Sequence, residues 1–419
     1  MAQLSDDCFA FGGALLSVEA AEALIAERVP PLAGEETAPL ATALGRVLAR
    51  DLAAPLPLPP FFNAAVDGYA FRHADLAADG DTRLILSGRL AAGQATTKDG
   101  LGAATAMRVF TGAPMPPGAD TVLMQEDARL ESGGAVLAVP PGLKPGANAR
   151  PAGEDVAQGA LALHAGRRVR APEIGLAAAL GLTALPVRRR VRVGVFSTGD
   201  ELASPGEPLR AAQTYDSNRF TLLALLAGLP AEATDLGILP DRPDAVAAAL
   251  RRAATSHDML LSSGGVSTGE EDHVRAAIEG SGSLVFWRLA IKPGRPAAMG
   301  VVGGVPVVGL PGNPVAAVVT FLHLARPLVL RLAGAAPESL PRFAARAAFA
   351  YRKKGGRREY VRVRLSPGTP LPGAAKFARE GAGLLSSLTE SDAFAELPEE
   401  VTAVAPGDIV QVLPFAAVF

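Results

Sequence analysis

From residue 191 onward the chain alternates short apolar runs with helix-length stretches, and this rhythm limits its fold more than any other feature of its 419 residues. Residues 191–196, 234–238, 258–261, 284–291 and 305–309 read as strands, with helices expected over 218–227, 243–254, 274–279 and 314–332. Strands spaced by whole helices cannot pair as hairpins. They predict an α/β domain built on a parallel, doubly wound sheet.

The flanks read differently. Residues 18–52 look helical, with breaks at Pro30-Pro31 and Pro39, and 172–180 looks like a further apolar helix. Between 61 and 150 come short β-like runs (83–86, 107–110, 121–125 and 135–139), and 342–419 again shows short strands and turns. Proline and glycine clusters at 55–60, 140–146, 186–190 and 334–341 mark boundaries.

Composition removes several classes of function. Apolar residues make up 49% and charged residues 20%, which suits a folded chain. The net charge of −2 offers no overall basic field for nucleic acid. The basic runs at 188–190 and 352–358 flank strand-like segments and read as solvated edge charges. The single cysteine, Cys8, allows no internal disulfide or multi-cysteine metal site and fits a reducing compartment. Asp6 and Asp7 stand where a signal peptide would carry basic residues. The most apolar tract, 301–332, is interrupted by Gly303, Gly304, Pro306, Pro311, Gly312, Asn313, Pro314 and Pro327, whereas a spanning helix needs about 20 continuous apolar residues. The expectation is a soluble, cytoplasmic protein with no membrane partner. His73, His164, His257, His273 and His323 lack metal-ligand spacing, and His257 and His273 read as surface residues.

In an open parallel sheet, ligands bind beyond the carboxyl ends of the strands. The loops expected there carry Ser197-Thr198-Gly199-Asp200-Glu201, Pro240-Asp241, the Gly/Ser stretch 262–269 and Leu310-Pro311-Gly312-Asn313-Pro314. Ser262, Gly264, Gly265, Ser267 and Gly269 would bring N–H groups and hydroxyls to an anion before a helix start; a plain glycine turn is the alternative. No Gly-Lys-Ser/Thr follows, so this is not a Walker loop. Glu201, Asp241 and Asp272 fall on one edge, where carboxylates beside phosphate suit Mg²⁺, while Asp241 and Asp272 could equally cap helices. Lys292, before Pro293-Gly294-Arg295-Pro296, could neutralise an oxyanion or simply be solvated. Asn313-Pro314 forms a natural helix start, Asn as cap and Pro in the first turn. Residue chemistry alone reaches an Mg²⁺-dependent enzyme acting on a phosphorylated or nucleotidyl substrate.

At these loops the chain resembles the MoeA family of molybdopterin molybdenumtransferases, which includes the E domain of gephyrin. The resemblance runs over nearly the whole chain: Val66-Asp67-Gly68-Tyr69-Ala70, Phe110-Thr111-Gly112-Ala113-Pro114, Gly153-Glu154-Asp155, Phe196 to Leu202, Tyr215-Asp216-Ser217-Asn218-Arg219, Ser262 to Asp272, Ile291 to Gly294, and Leu310 to Pro314. It implies four parts: an elongated first domain (1–54 and 147–187), an inserted β-rich domain (55–146), a molybdopterin-binding α/β domain (188–335) and a C-terminal β domain (336–419). It also implies a homodimer in which the inserted domain of one subunit reaches the α/β domain of the other. The implied reaction takes adenylylated molybdopterin and molybdate and releases AMP with Mg²⁺. The adenylyltransferase that makes the substrate is a candidate partner.

By position, the resemblance gives catalytic roles to Asp67, Thr111, Glu201, Asp241, Asp272 and Lys292, with the three acids Glu201, Asp241 and Asp272 at the metal. It gives substrate contacts to Arg150, Asp155, Arg295, Pro311, Asn313 and Pro314. Three positions depart from the family pattern: Phe62-Asn63-Ala64-Ala65-Val66 before Asp67, Arg295 where a second Lys is usual, and Ala316 where Ser is frequent. Two other readings remain, the preceding adenylyltransferase step and a non-catalytic molybdopterin-binding scaffold. The flanking motifs weigh against the first, the intact acids and loops against the second.

Overall fold

Val- and Leu-rich runs form buried strands when both sheet faces are covered, and the runs from residue 191 do so here. The computed structural model describes residues 15–419 except 33, 97–99, 241, 266–272 and 295. Six strands make one sheet in the spatial order Ala231–Leu239, Val191–Thr198, Met259–Ser263, Val305–Leu310, Pro296–Val302 and Gly282–Arg288. The first four are mutually parallel. Pro296–Val302 runs antiparallel to both neighbours, so the sheet is mixed along one side rather than parallel throughout. The reason lies in Gly303 and Gly304, both at positive φ (58° and 77°). They let Val302 pair with Val305 across a two-residue turn, a backbone shape that glycine adopts without steric cost. The strand expected over 284–291 ends at Arg288, and Ile291–Lys292 leaves to join a different sheet.

Helices cover both faces. Leu222 and Leu226 of Asn218–Ala227, Ile25 of Val18–Arg28, and Val318 and Phe321 of the last long helix pack with Val193 and Val195. On the other face, Val246 and Leu250 of Pro243–Ala254 and Ile278 of His273–Ser281 pack with Phe196 and Leu260. The helical stretch Pro314–Leu332 has 19 residues and is long and apolar enough to cross a membrane by length and composition, yet 83% of its apolar window is buried in this core. Its middle, Phe321–Ala325, widens into a π turn. Pro327 would otherwise drive its ring against the carbonyl four residues back, at His323, and the wider turn gives that carbonyl room. His323 is buried there against Tyr360, ring centroids 4.8 Å apart. Burial, with Arg342, Arg358 and Arg326 nearby, pushes its pKa down to about 3 and keeps the imidazole neutral.

The N-terminal stretch is less helical than its composition suggests. Ser17 caps Val18–Arg28 by accepting from the Ala20 N–H, but Pro30-Pro31 ends the helix and Glu35–Pro39 is a strand. The C-terminal residues form a barrel: Arg358–Ser366, Gly373–Lys376, Phe343–Ala347, Ile409–Pro414 and Ala393–Leu397 pair in sequence, and the last pairs back to the first. Ile291–Lys292 adds to its edge beside Arg358 and Glu359.

All of these elements belong to one compact unit, which comprises the described residues up to Arg50, Ala165–Arg170 and Pro186–Phe419. A second unit, Asp51–His164 with Ala171–Leu185, contains the β-like runs expected between 61 and 150. They form a six-stranded sheet in the order Thr121–Met124, Gly68–Phe71, Thr105–Val109, Thr82–Leu90, Val136–Val139 and Arg129–Glu131. Phe71, Leu84 and Leu137 fill one core of this unit, Val109 and Val122 another. The helix expected over 172–180 is present as Ala171–Ala179.

Candidate functional site

Three loops converge beyond the carboxyl ends of the parallel strands. Val191–Thr198 leads into Gly199, where the Glu201 carboxylate folds back so closely that a Cβ would lie 2.4 Å from Oε2. Met259–Ser263 leads into Gly264 and Gly265. A Cβ on Gly265 would lie 2.4 Å from the Val274 side chain and 2.8 Å from the Thr198 hydroxyl, and φ there is +69°, so both space and backbone demand glycine. Val305–Leu310 leads into Gly312, which faces the Gly264 Cα.

Side-chain and backbone hydrogen bonds fix these loops. The buried amide of Asn218 donates to the Ser263 hydroxyl at 2.9 Å and to the Gly312 carbonyl at 2.7 Å. The Gly264 N–H donates to Leu310 O at 3.0 Å. Asn218 is itself braced by its neighbour: the buried Arg219 guanidinium binds Asp216 at 2.8 Å and Asp235 at 2.5 Å. A cleft of about 660 Å³ opens along this edge, lined by Gly199, Asp200, Leu202, Arg210, Gln213 and Pro240 among others.

The expected site residues are distributed as follows. Glu201 is exposed beside Gly199. Ser262 is fully buried, its hydroxyl turned toward the Gly264 carbonyl. Pro311 is buried and Asn313 exposed at the helix start. The Asn313 side chain makes no capping bond; instead the Val315 N–H donates to Ala382 O at 3.0 Å, so a loop of the barrel satisfies the helix end. Asp241, Ser267, Gly269, Asp272 and Arg295 lie outside the described residues. Among the described residues no cluster of three or more His, Cys, Asp or Glu is arranged to hold a metal. The helix after Asp241 has Arg242, not Asp241, at its capping position.

Lys292 stands on the barrel edge. Its Nζ donates to Glu359 Oε2 at 3.0 Å and Tyr351 OH at 3.3 Å, and Tyr351 OH donates to the same Glu359 oxygen at 2.8 Å. Partial burial disfavours the Lys292 charge, yet the bonds to Glu359 and Tyr351 outweigh it and raise the pKa. Burial likewise works against the Glu359 carboxylate, but Tyr351, Lys292 and Arg357 hold its pKa below the usual range.

These groups line a cavity of about 190 Å³ with Arg362, Lys376, Arg379 and Glu380. Four cations (Lys292, Arg362, Lys376, Arg379) face two carboxylates (Glu359, Glu380), an excess of two positive charges. The Arg362 Nη2 donates to Gly381 O at 3.1 Å, while its buried Nε has no protein partner. A small, cation-rich cavity is suited to a compact dianion. Arg362, Lys376 and Arg379 were not among the expected residues. Their only sequence signal is the Arg- and Lys-rich composition of 352–379, which has no local spacing to mark it.

In the second unit, Asp67 precedes the Gly68–Phe71 strand. One of its carboxylate oxygens accepts from both the N–H and the hydroxyl of Thr111, each at 2.7 Å. The N–H bond, then the hydroxyl bond, lowers the Asp67 pKa. Arg150 pairs in register with Asn63, the Asp155 N–H donates to Leu58 O, and both side chains are exposed.

Comparison with known proteins agrees along the length of the chain. Residues 16–181 match the MoeA N-terminal region (domain I and II), residues 194–331 the "Probable molybdopterin binding domain", and residues 344–415 the MoeA C-terminal region (domain IV). A molybdopterin molybdenumtransferase of Haemophilus influenzae is 36% identical over 406 residues, covering 96% of this chain and 99% of that protein. Molybdopterin molybdenumtransferase 2 of Mycobacterium tuberculosis is 37% identical, covering 90% and 94%. The crystal structure of a molybdopterin biosynthesis moeA protein from Pyrococcus horikoshii superposes with a TM-score of 0.77 at 27% identity, covering 95% of this chain and 99% of that one.

Proposed function

The chain belongs to the MoeA family of molybdopterin molybdenumtransferases, enzymes of molybdenum cofactor biosynthesis, and from that premise we propose that it inserts molybdate into adenylylated molybdopterin with Mg²⁺-dependent release of AMP. The observation that carries this reading is the cation-rich cavity at Lys292, whose size and charge suit a tetrahedral dianion. The loop after Val191–Thr198, with Arg210, Gln213 and Pro240, lines a second, larger cleft for the nucleotidyl pterin.

In this reading Lys292, kept charged by Glu359 and Tyr351, and the Arg362 guanidinium hold the molybdate oxygens. The backbone around Gly264 and Gly312 orients the substrate phosphates. Glu201 is exposed without an ion-pair partner among the described residues, and a free carboxylate of this kind is the hard oxygen donor that Mg²⁺ takes. With Asp241 and Asp272 it would hold the ion, which supplies charge neutralisation at the phosphates and acidifies a bound water. Water adds to the adenylate phosphorus, the P–O–P bond breaks with the bridging oxygen staying on the pterin phosphate, and AMP leaves.

Asp67, Thr111, Arg150 and Asp155 complete the cleft in a homodimer acting in the cytoplasm, and the four-part division at 54/55, 146/147, 187/188 and 335/336 belongs to the same proposal. Incubating pure protein with adenylylated molybdopterin, molybdate and Mg²⁺ tests it: AMP release that requires both molybdate and the ion is expected. An ATP-consuming reaction that produces the adenylylated pterin, or no turnover at all, would refute it.

A further inference from the structure

Two arginines of the second unit are placed opposite each other, neither held in a salt bridge among the described residues, with Arg108 in electrostatic reach of the Asp67 carboxylate. Arg89 and Arg108 are register partners on the adjacent parallel strands Thr82–Leu90 and Thr105–Val109. Like charges directly opposite on neighbouring strands repel. Elsewhere the arginines of this sheet have acidic partners: Arg83 pairs with Glu131 at 2.7 Å across strands, and Arg129 pairs with Asp81 just before Thr82–Leu90. Among the described residues no carboxylate forms an ion pair with Arg89 or Arg108. Both guanidinium groups lie instead over one ring, that of Phe110, at 5.4 and 5.3 Å from its centroid.

The backbone reinforces this arrangement. The register shifts between Leu86 and Arg89, with Gly88 at φ +152°, and the bulge re-aims Arg89. The Phe110 N–H donates to Leu90 O, and the next residue, Thr111, carries the double bond to Asp67. A pocket of about 430 Å³ opens beside Arg89, lined also by Ser87, Gln94 and Met107. An aromatic ring that orders two exposed guanidinium groups holds their forks ready, which reduces the freedom lost when they bind an anion.

We propose that Arg89 and Arg108, ordered by Phe110, form a clamp for a phosphoanhydride, namely that of the adenylylated substrate. The identity of the ligand rests on the function proposed above; the preference for an extended polyanion rests on the two guanidinium groups themselves. Molybdate, a compact dianion, belongs to the Lys292 cavity and not to the clamp.

Titration calorimetry of the full-length protein with inorganic pyrophosphate, and separately with molybdate, tests the proposal. Arg89→Gln with Arg108→Gln should weaken pyrophosphate binding tenfold or more and leave molybdate binding unchanged. Arg83→Gln, in the same sheet but outside the cluster, should alter neither, and unchanged thermal melts would show that the fold is kept. Pyrophosphate binding that is absent in the wild type, or equal in the wild type and the double variant, would overturn the clamp even if AMP is released. Pyrophosphate binding lost in the double variant, together with no AMP release by the wild type, would leave the clamp standing and sink the function it was assigned.

Discussion

The side-chain amide of Asn218 reaches from the start of one helix to the hydroxyl of Ser263 at the end of a neighbouring strand, 2.9 Å away. Its second bond, to Gly312 O, ties in the loop after the next strand. One buried residue therefore sets the spacing of two loops that the proposed substrate would touch.

Asn218→Ala should break both ties and leave the buried Ser263 hydroxyl without that partner. Burying an unsatisfied polar group costs about 1–3 kcal/mol. A loss of unfolding free energy of that size is expected, seen as a lower urea midpoint, with weaker binding of adenylylated pterin. Asn218→Asp should be worse at neutral pH, since it sets a carboxylate against the Gly312 carbonyl. An unchanged midpoint and affinity for the alanine variant would show that the loops hold themselves.

Gly265 and Gly45 separate backbone strain from crowding. Both have positive φ, +69° and +74°, but a Cβ at Gly45 meets nothing within 4 Å whereas one at Gly265 strikes Val274. Gly45→Ala should cost about 1–2 kcal/mol, from the left-handed backbone alone. Gly265→Ala should cost more and should also impair turnover. Equal losses from the two variants in denaturant unfolding would mean that the loop yields and the contact with Val274 is of no consequence.

The parts of this fold that were legible in sequence are those in which a local pattern carries the physics. The four parallel strands, their helices and the loops after them follow from periodicity and from glycine and proline. The hairpin at Gly303-Gly304 was hidden, because the same two glycines also read as a break in an apolar run. Long-range pairing was hidden too. Within the basic runs taken for solvated edges, Arg189, Arg357 and Arg358 are ion-paired: Arg189 binds the buried Asp258 at 2.6 Å, Arg357 binds Glu359, and Arg358 meets Glu19, Glu396 and Glu399. His257, taken for a surface residue, is buried with Nδ1 beside the Ala253 carbonyl. No local pattern announces that Lys292 will find Glu359 some 67 residues later.

That ion pair makes a pH prediction. The folded state lowers the Glu359 pKa below its ordinary 4.5, so its contribution is present above about pH 4.5 and is lost as pH falls through the lowered value. The folded state raises the Lys292 pKa above 10.5, so that contribution is present below about pH 10.5 and is lost as pH rises through the raised value. Glu359→Gln should flatten the decline in unfolding free energy below pH 4.5 relative to wild type. Parallel acid limbs in the two proteins would show that Glu359 does not carry this linkage.

Arg362 offers the sharpest test of the anion cavity, because stability and binding should move in opposite directions. Its Nε is buried without a protein partner, and burial pushes its pKa down, both of which work against the ligand-free fold. Replacement by methionine removes the unsatisfied donor and keeps much of the volume, so the ligand-free protein should be as stable as wild type or more so. The same change removes a charged donor from the cavity. A lost hydrogen bond to a charged group costs about 1.5–3 kcal/mol, and about 1.4 kcal/mol is a decade in affinity. Half-saturating molybdate should therefore rise roughly tenfold or more in the AMP-release assay, while the affinity for adenylylated pterin stays level. If Arg362→Met instead loses stability and keeps its molybdate response, Arg362 serves to hold the Gly381 loop, and the dianion must be bound elsewhere.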